Sequence, residues 1–466
     1  YGGDFCDEPN DVNFVCDGLV AADRTPHPAM EEVRWVGRPA TVEWAQRGRR
    51  LRVTNRRWFT GLEDLRARWS LQVDGEEVDS GELELPEVAP GSSVLVARPF
   101  RAPRVHEGQE VHLTVTWAQR RAVPWAARGA FVAREQLEVP DSLRGTATAA
   151  TRAAAAGRVS TPGRGAALPV GVDPFAPTPT LFRALTDNDG LRQGWMRGLS
   201  GQLARWVDVL GLDRCAWEPG EPGRRRRGEV VVSSTTGRLH VPGYAEPVVV
   251  RRRVEEHPDG WVLLHHRITV PPALADPLRV GIEWVLPGDL EDLEWFGDGP
   301  HECYPDRRAA ATVGRWSTTV SDTYVDHVVP QEHGHRTGLR WLALRPRRAR
   351  RGAAPGGLLV VADRSVHAAT ADGGSLGFAA RHHSDAELWA ARHTDDLVDP
   401  ADPASRAPTV LYLDAAQRGL GTASCGPDAL DRYTIPAGNH TVSVWCRGLA
   451  AGEDPAALAA ARRAAG

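Results

Sequence analysis

From about residue 35 almost to the C-terminus the chain is written in short runs where apolar and polar residues alternate, and that period of two constrains the fold more than any other feature. LRVTN at 51–55, WSLQVDGEEV at 69–78 and EVHLTVTW at 110–117 each alternate over a strand's length. Asp74-Gly75, inside the second run, is the dipeptide of a tight hairpin turn. The spacing predicts a β-sandwich of about 100 residues, ending near LEVP at 137–140. Strand signals resume in GEVVVSS at 228–234, in VVVRRRVEE and WVLLHHRITV joined through Pro258-Asp259-Gly260, in LRVGIEWVL at 278–286 and in HTVSVWC at 440–446. They predict a second, larger all-β domain. Two stretches read as helix, LSGQLARWVDVLG near 199–211 and the tail DPAALAAARRAAG. GTATAATRAAAAGRVSTPGRGAA at 144–166 has almost nothing to bury and reads as a linker. Residues 1–31, rich in Gly, Asp, Asn and Pro, read as loop with one short strand.

Composition removes several function classes. A length of 466 residues predicts about three domains. No stretch approaches the roughly 18 consecutive apolar residues of a membrane span. The formal charge of -4 offers no general attraction for nucleic acid or an anionic bilayer, so neither is expected as a partner. Six cysteines without a CxxC pair predict reduced thiols and a cytoplasmic protein. The chain opens YGGDF without Met or a targeting segment, and is expected to be the C-terminal part of something longer.

Short catalytic strings are missing: there is no GxSxG, HExxH or Walker loop. Asp187-Asn188-Asp189-Gly190 places its Gly two positions too early for a calcium loop and reads as a tight turn. RRRR at 224–227 and RPRRARR at 345–351 lack interleaved aromatics and read as solvated hairpin loops. His301, Cys303, His333 and His335 are metal-ligand types without the spacing of a zinc site. Most of the 16 Trp are assigned to packing.

Longer segments carry a resemblance. YGGDFCDEPNDVNFVCDGLVAADRTPHPAMEEVRWV at the start, LFRALTDNDG at 181–190, WFGDGPHECYPDRRAA at 295–310, VVPQEHGHRTGLRWL at 328–342 and GTASCGPD at 421–428 resemble, in order, the large β-galactosidases of glycoside hydrolase family 2. The resemblance implies an all-β architecture: the end of a (β/α)8 barrel at 1–31, an immunoglobulin-like β-sandwich at 32–140, a linker at 141–164 and a large β-supersandwich at 165–466. It implies retaining hydrolysis of terminal β-D-galactosides, in which one glutamate protonates the leaving oxygen while another, about 5–5.5 Å away, attacks the anomeric carbon. Both are expected upstream of Tyr1. No carboxylate of this chain is assigned to either role. A homo-oligomer is the expected state of the complete enzyme. The alternative reading is a non-catalytic carbohydrate-binding β-sandwich protein, against which the barrel-like opening argues.

By the same resemblance the carbonyl of Phe14 and the side chain of Asp17 are expected to hold sodium, and Asp17 to contact substrate. Family members commonly have Asn at the second position, and a carboxylate is the more strongly charged ligand. A loop-capping Asp explains the same residue. Asn10 matches a position associated with magnesium, and an Asx turn after Pro9 explains it equally. Cys425 matches the place of a Trp that stacks on the sugar at the pocket rim. The segment from Gly190, continuing LRQGW, matches a loop that closes over sugar in the family.

Overall fold

The computed structural model describes residues 2–14, 16, 18–146, 166–190, 201–347, 356–367, 376–400 and 407–465. Asp17, most of the expected linker and the LRQGW segment lie outside the described residues. The chain divides into two units, one of Tyr1–His27, Ser160–Arg308 and Trp316–Gly466, the other of Pro28–Val159 and Ala309–Arg315.

In the smaller unit Pro28 leads into helix α1 (Ala29–Val36), with Glu31 and Glu32 in its first turn, where acidic charge suits the helix dipole. The expected loop at 1–31 thus gives way to helix from Ala29, whose residues are none of them buried. Strands β1 (Ala40–Ala45), β2 (Arg50–Asn55), β3 (Leu65–Val73), β4 (Glu76–Glu82), β5 (Ser93–Ala97), β6 (Arg104–Val105), β7 (Val111–Gln119), β8 (Phe131–Glu138) and β9 (Gly145–Thr146) follow. They form sheets of order β1-β2-β5 and β4-β3-β7-β8, with a parallel β6-β9 pair. Alternation places Leu51 and Val53 on one side of the core and Trp69, Leu71, Val115 and Trp117 on the other. The β3–β4 turn has φ of 49° at Asp74 and 83° at Gly75, as a type I′ turn requires. A Cβ at Gly75 would fall 2.6 Å from the Arg315 backbone nitrogen, so glycine is needed there for space as well as for φ.

The larger unit carries β10 (Thr178–Thr180), β11 (Ala216–Glu218), β12 (Gly223–Arg227), β13 (Val230–His240), β14 (Val248–Glu256), β15 (Val262–Val270), β16 (Arg279–Leu286), β17 (Leu290–Gly299), β18 (Thr312–Thr319), β19 (Trp341–Pro346), β20 (Gly357–Ala362), β21 (Gly377–Arg381), β22 (Thr409–Gln417) and β23 (Gly438–Leu449). A 10-stranded sheet runs β11-β13-β14-β15-β23-β20-β19-β17-β18, with β12 also on β13, and a four-stranded sheet runs β10-β16-β22-β21. Trp284, Leu411, Leu413 and Phe378 of the smaller sheet pack with Leu264, Val442, Val444, Val360 and Leu344 of the larger one. The architecture is therefore all-β, as expected. RRRR is not a loop but the exposed edge strand β12, a placement that keeps a sheet edge charged and unattractive to further strands. Helix α2 (Asp385–Ala390) begins on a Ser384 capping box, and α3 (Pro455–Ala465) is the expected C-terminal helix.

Candidate functional site

The opening segment is held in shape by its own polar groups. The Asn10 side-chain oxygen accepts the Val12 N–H at 3.1 Å and its amide donates to the Asp7 carbonyl at 2.8 Å, which makes Asn10 an Asx-turn residue. A Cβ on Gly2 would come 2.7 Å from that of Asn10, so the turn closes only over glycine. The Phe14 N–H donates to Asp11 at 3.0 Å and the Cys16 N–H to Asn13 at 3.1 Å. Among the described residues no hydrogen bond uses the Phe14 carbonyl. Also among the described residues, no group of three or more His, Cys, Asp or Glu is arranged to hold a metal.

Buried Asn13 ties this segment to the supersandwich. Its amide donates to Asp187 Oδ1 at 3.0 Å, and the Gln331 amide donates to Asp187 Oδ2 at 3.0 Å. The Asp187 N–H returns a 3.0 Å bond to the Gln331 side-chain oxygen. The turn that presents Asp187 is pinned from below by a fully buried pair, Arg183 to Asp189 at 2.7 and 3.0 Å. Burial opposes the Arg183 charge, but Asp189 outweighs it and the guanidinium is held above its ordinary value. Asp189 also accepts from the Thr186 N–H and hydroxyl.

Cys425 is exposed, on a loop that reaches the same turn through the Ser424 N–H to the Asn188 carbonyl, 3.2 Å. Asp306 fixes the base of that loop by accepting the N–H groups of Leu420 and Gly421 at 3.0 and 2.8 Å. Segments distant in sequence thus converge on Asp187-Asn188-Asp189: the NDVNF loop through Asn13, the 328–342 segment through Gln331, and the 421–428 loop through Ser424.

Beneath lies a buried ionic cluster. Arg279 is bonded to Asp385 and lies 3.1 Å from Asp414, while Arg381 reaches Glu332 at 3.1 Å and Asp385 at 2.9 Å. Burial works against the Asp385 charge, yet Arg279 and Arg381 hold its carboxyl well below the usual range. Burial dominates at Glu332 and raises it despite the same two arginines. Glu302, the carboxylate nearest in sequence to His301 and Cys303, is held by Arg307 and by the Gly334 N–H at 2.6 Å. Burial raises the Glu302 pKa, but Arg307, the Gly334 N–H and the nearby His327 and His333 together hold it below the ordinary value. Asp385 and Glu302 are held as carboxylates by their partners and are not poised to protonate a leaving group.

Asn13, Gln331 and Ser424 were not singled out by sequence. Asn13 and Asp187 are 174 residues apart, and only the side-by-side presence of both matched segments hinted at the contact.

The family model described as "Beta galactosidase small chain" matches residues 159–445, "Beta-galactosidase, domain 4" matches 51–140, and "Glycosyl hydrolases family 2, TIM barrel domain" matches 1–40. A protein named beta-galactosidase from Arthrobacter sp. (strain B7) is 31% identical over 93% of this chain and 43% of its own length. Another so named, from Aeromonas hydrophila, is 32% identical over 74% of this chain and 35% of its own. One from Vibrio vulnificus (strain YJ016) is 27% identical over 90% and 40%. The chain spans less than half the length of these curated relatives. Among the described residues no helix is long and apolar enough to cross a membrane.

Proposed function

We propose that this chain, which belongs to the β-galactosidase small-chain family of glycoside hydrolase family 2, supplies the pocket rim, a cation site and scaffold to a retaining β-galactosidase. The reaction is hydrolysis of terminal non-reducing β-D-galactose residues. The acid and nucleophile come from a barrel that this chain matches over residues 1–40 alone. The observation that carries the reading is the Asp187 clamp, which fastens a barrel-type segment to the supersandwich through Asn13 and Gln331.

In this reading the chain positions and does not cleave. The clamp fixes the turn on which the Phe14 carbonyl is presented, and Phe14 and Asp17 are the residues that would hold sodium. A bound sodium ion would supply a fixed positive charge for a galactose hydroxyl. Cys425 and its loop edge the pocket. The alternative of a free-standing carbohydrate-binding protein leaves the Asn13 contact without a purpose.

The test is release of nitrophenol from nitrophenyl β-D-galactopyranoside, by the chain alone and after co-expression with a barrel-containing N-terminal portion. Activity is expected only in the second case. Absence of activity in a mixture whose parts are folded and associated, or turnover by the chain alone, would overturn the reading.

A further inference from the structure

The outer face of the large sheet carries charges that the site above does not use. Along β14, exposed Arg251 and Arg253 alternate with buried Val250, Arg252 and Val254. In register across the sheet, Arg251 lies opposite Thr236 on β13 and Arg267 on β15, and Arg253 lies opposite Ser234 and His265. Two arginines directly opposed on neighbouring strands repel one another, a destabilising arrangement in an empty sheet.

The neighbours of this pair are already satisfied. Arg253 is paired with Glu255 at 3.1 Å, and His265 shares a 3.1 Å bond with Ser443, whose hydroxyl donates to Asp363 at 2.9 Å. Arg251 and Arg267 have no ion pair or hydrogen bond among the described residues. A concavity of about 550 Å³ opens over them, with Ser234 and Thr236 on one flank and Glu221 on its lining. Burial, then the fields of Arg253 and Arg267, keep His265 below its ordinary pKa.

We propose that this concavity binds a phosphate group, free or as a small phosphate ester, held between the guanidinium groups of Arg251 and Arg267. Guanidinium matches phosphate oxygens in a bidentate fork, and a bridging dianion turns the repulsion into two attractions. The hydroxyls of Ser234 and Thr236 are donors for a further oxygen. One ladder step on, Arg238 is engaged by Glu218 at 3.4 Å and faces Val249. The volume is of the size that holds small organic ligands and exceeds what a bare oxyanion fills, leaving room for an ester's carbon portion.

Calorimetric titration of the 466-residue chain with inorganic phosphate, with a hexose 6-phosphate and with the unphosphorylated hexose, each in chloride at matched ionic strength, tests this. Saturable binding of either phosphate, absent for the hexose, is expected. Tighter binding of the ester makes the ligand an ester, and equal binding makes it free phosphate. Arg251→Gln and Arg267→Gln should each weaken binding about tenfold, the effect of losing roughly 1.4 kcal/mol. Without phosphate, the same variants should melt higher than the parent, because the opposed charges are gone. No saturable binding of either phosphate, or binding unchanged in both variants, overturns the proposal. So does a lower melting midpoint in the phosphate-free variants.

Discussion

At the scale of single residues the reading turns on what Phe14, Asp17 and Cys425 do in a complete enzyme. Asp17→Ala is expected to remove the dependence of galactoside hydrolysis on sodium and to raise KM more than it lowers kcat, because a lost ground-state contact appears in KM. Sodium titrations identical in mutant and parent would dismiss the cation assignment. Cys425 sits exposed on the 421–428 loop, and a thiol offers no flat apolar face. Cys425→Trp should add a stacking surface of about 1 kcal/mol and tighten inhibition by aryl galactosides several-fold. Unchanged inhibition would place that side chain away from the sugar. Phe14 and Asn10 are singled out by sequence because a contiguous motif contains them. Asn13 lies in that motif too, yet its role was not legible, since Asp187 comes to it only through the fold.

At the scale of elements, the strands that were legible have one wet face. β3 shows alternation, and its turn to β4 announces itself as Asp74-Gly75. β20 and β21 are buried along both faces, so their sequences GLLVVA and GFAAR carry no period of two. Arg381 closes β21 and is fully buried, which composition alone would call a surface residue. It is admitted because Glu332 and Asp385 meet it beneath the Asp187 turn. Breaking such a cluster at one member leaves an uncompensated buried charge. Arg279→Ala is therefore expected to cost about 3–5 kcal/mol in unfolding free energy. Arg56→Ala, on an exposed guanidinium bonded to the Val36 carbonyl, should cost well under that. Urea unfolding of the two variants side by side checks the contrast, and equal midpoints would show the cluster to be energetically idle.

At the scale of the whole molecule, buried histidines set the response to acid. Burial, with nearby arginines, lowers His266 and His333 to about 3, and burial lowers His367 to about 4. An unfolded histidine takes its proton near pH 6.5, so between that value and pH 4 the unfolded chain binds protons that these residues refuse. Their contribution to stability is whole above about pH 6.5 and is lost as pH falls toward 3–4. His382 acts in the opposite sense: burial lowers it, but the bond and charge of Glu291 together with the bond to the Pro408 carbonyl outweigh burial and raise it. His265 and His327 are lowered by burial as well, and five residues against one leave stability falling on acidification. His266 is the cleanest probe, because neither ring nitrogen has a partner among the described residues and its cross-strand neighbour is Arg252. Replacing an unsatisfied buried polar group by an apolar one is neutral or favourable in itself. His266→Leu should therefore match the parent at pH 7.5 and exceed it by about 2 kcal/mol at pH 5, where 1.5 pH units of uncompensated proton uptake have been removed. Urea midpoints at the two pH values measure this directly. A parent and variant that lose stability in parallel would mean that His266 takes its proton within the folded chain, and that water reaches the inner face of β15.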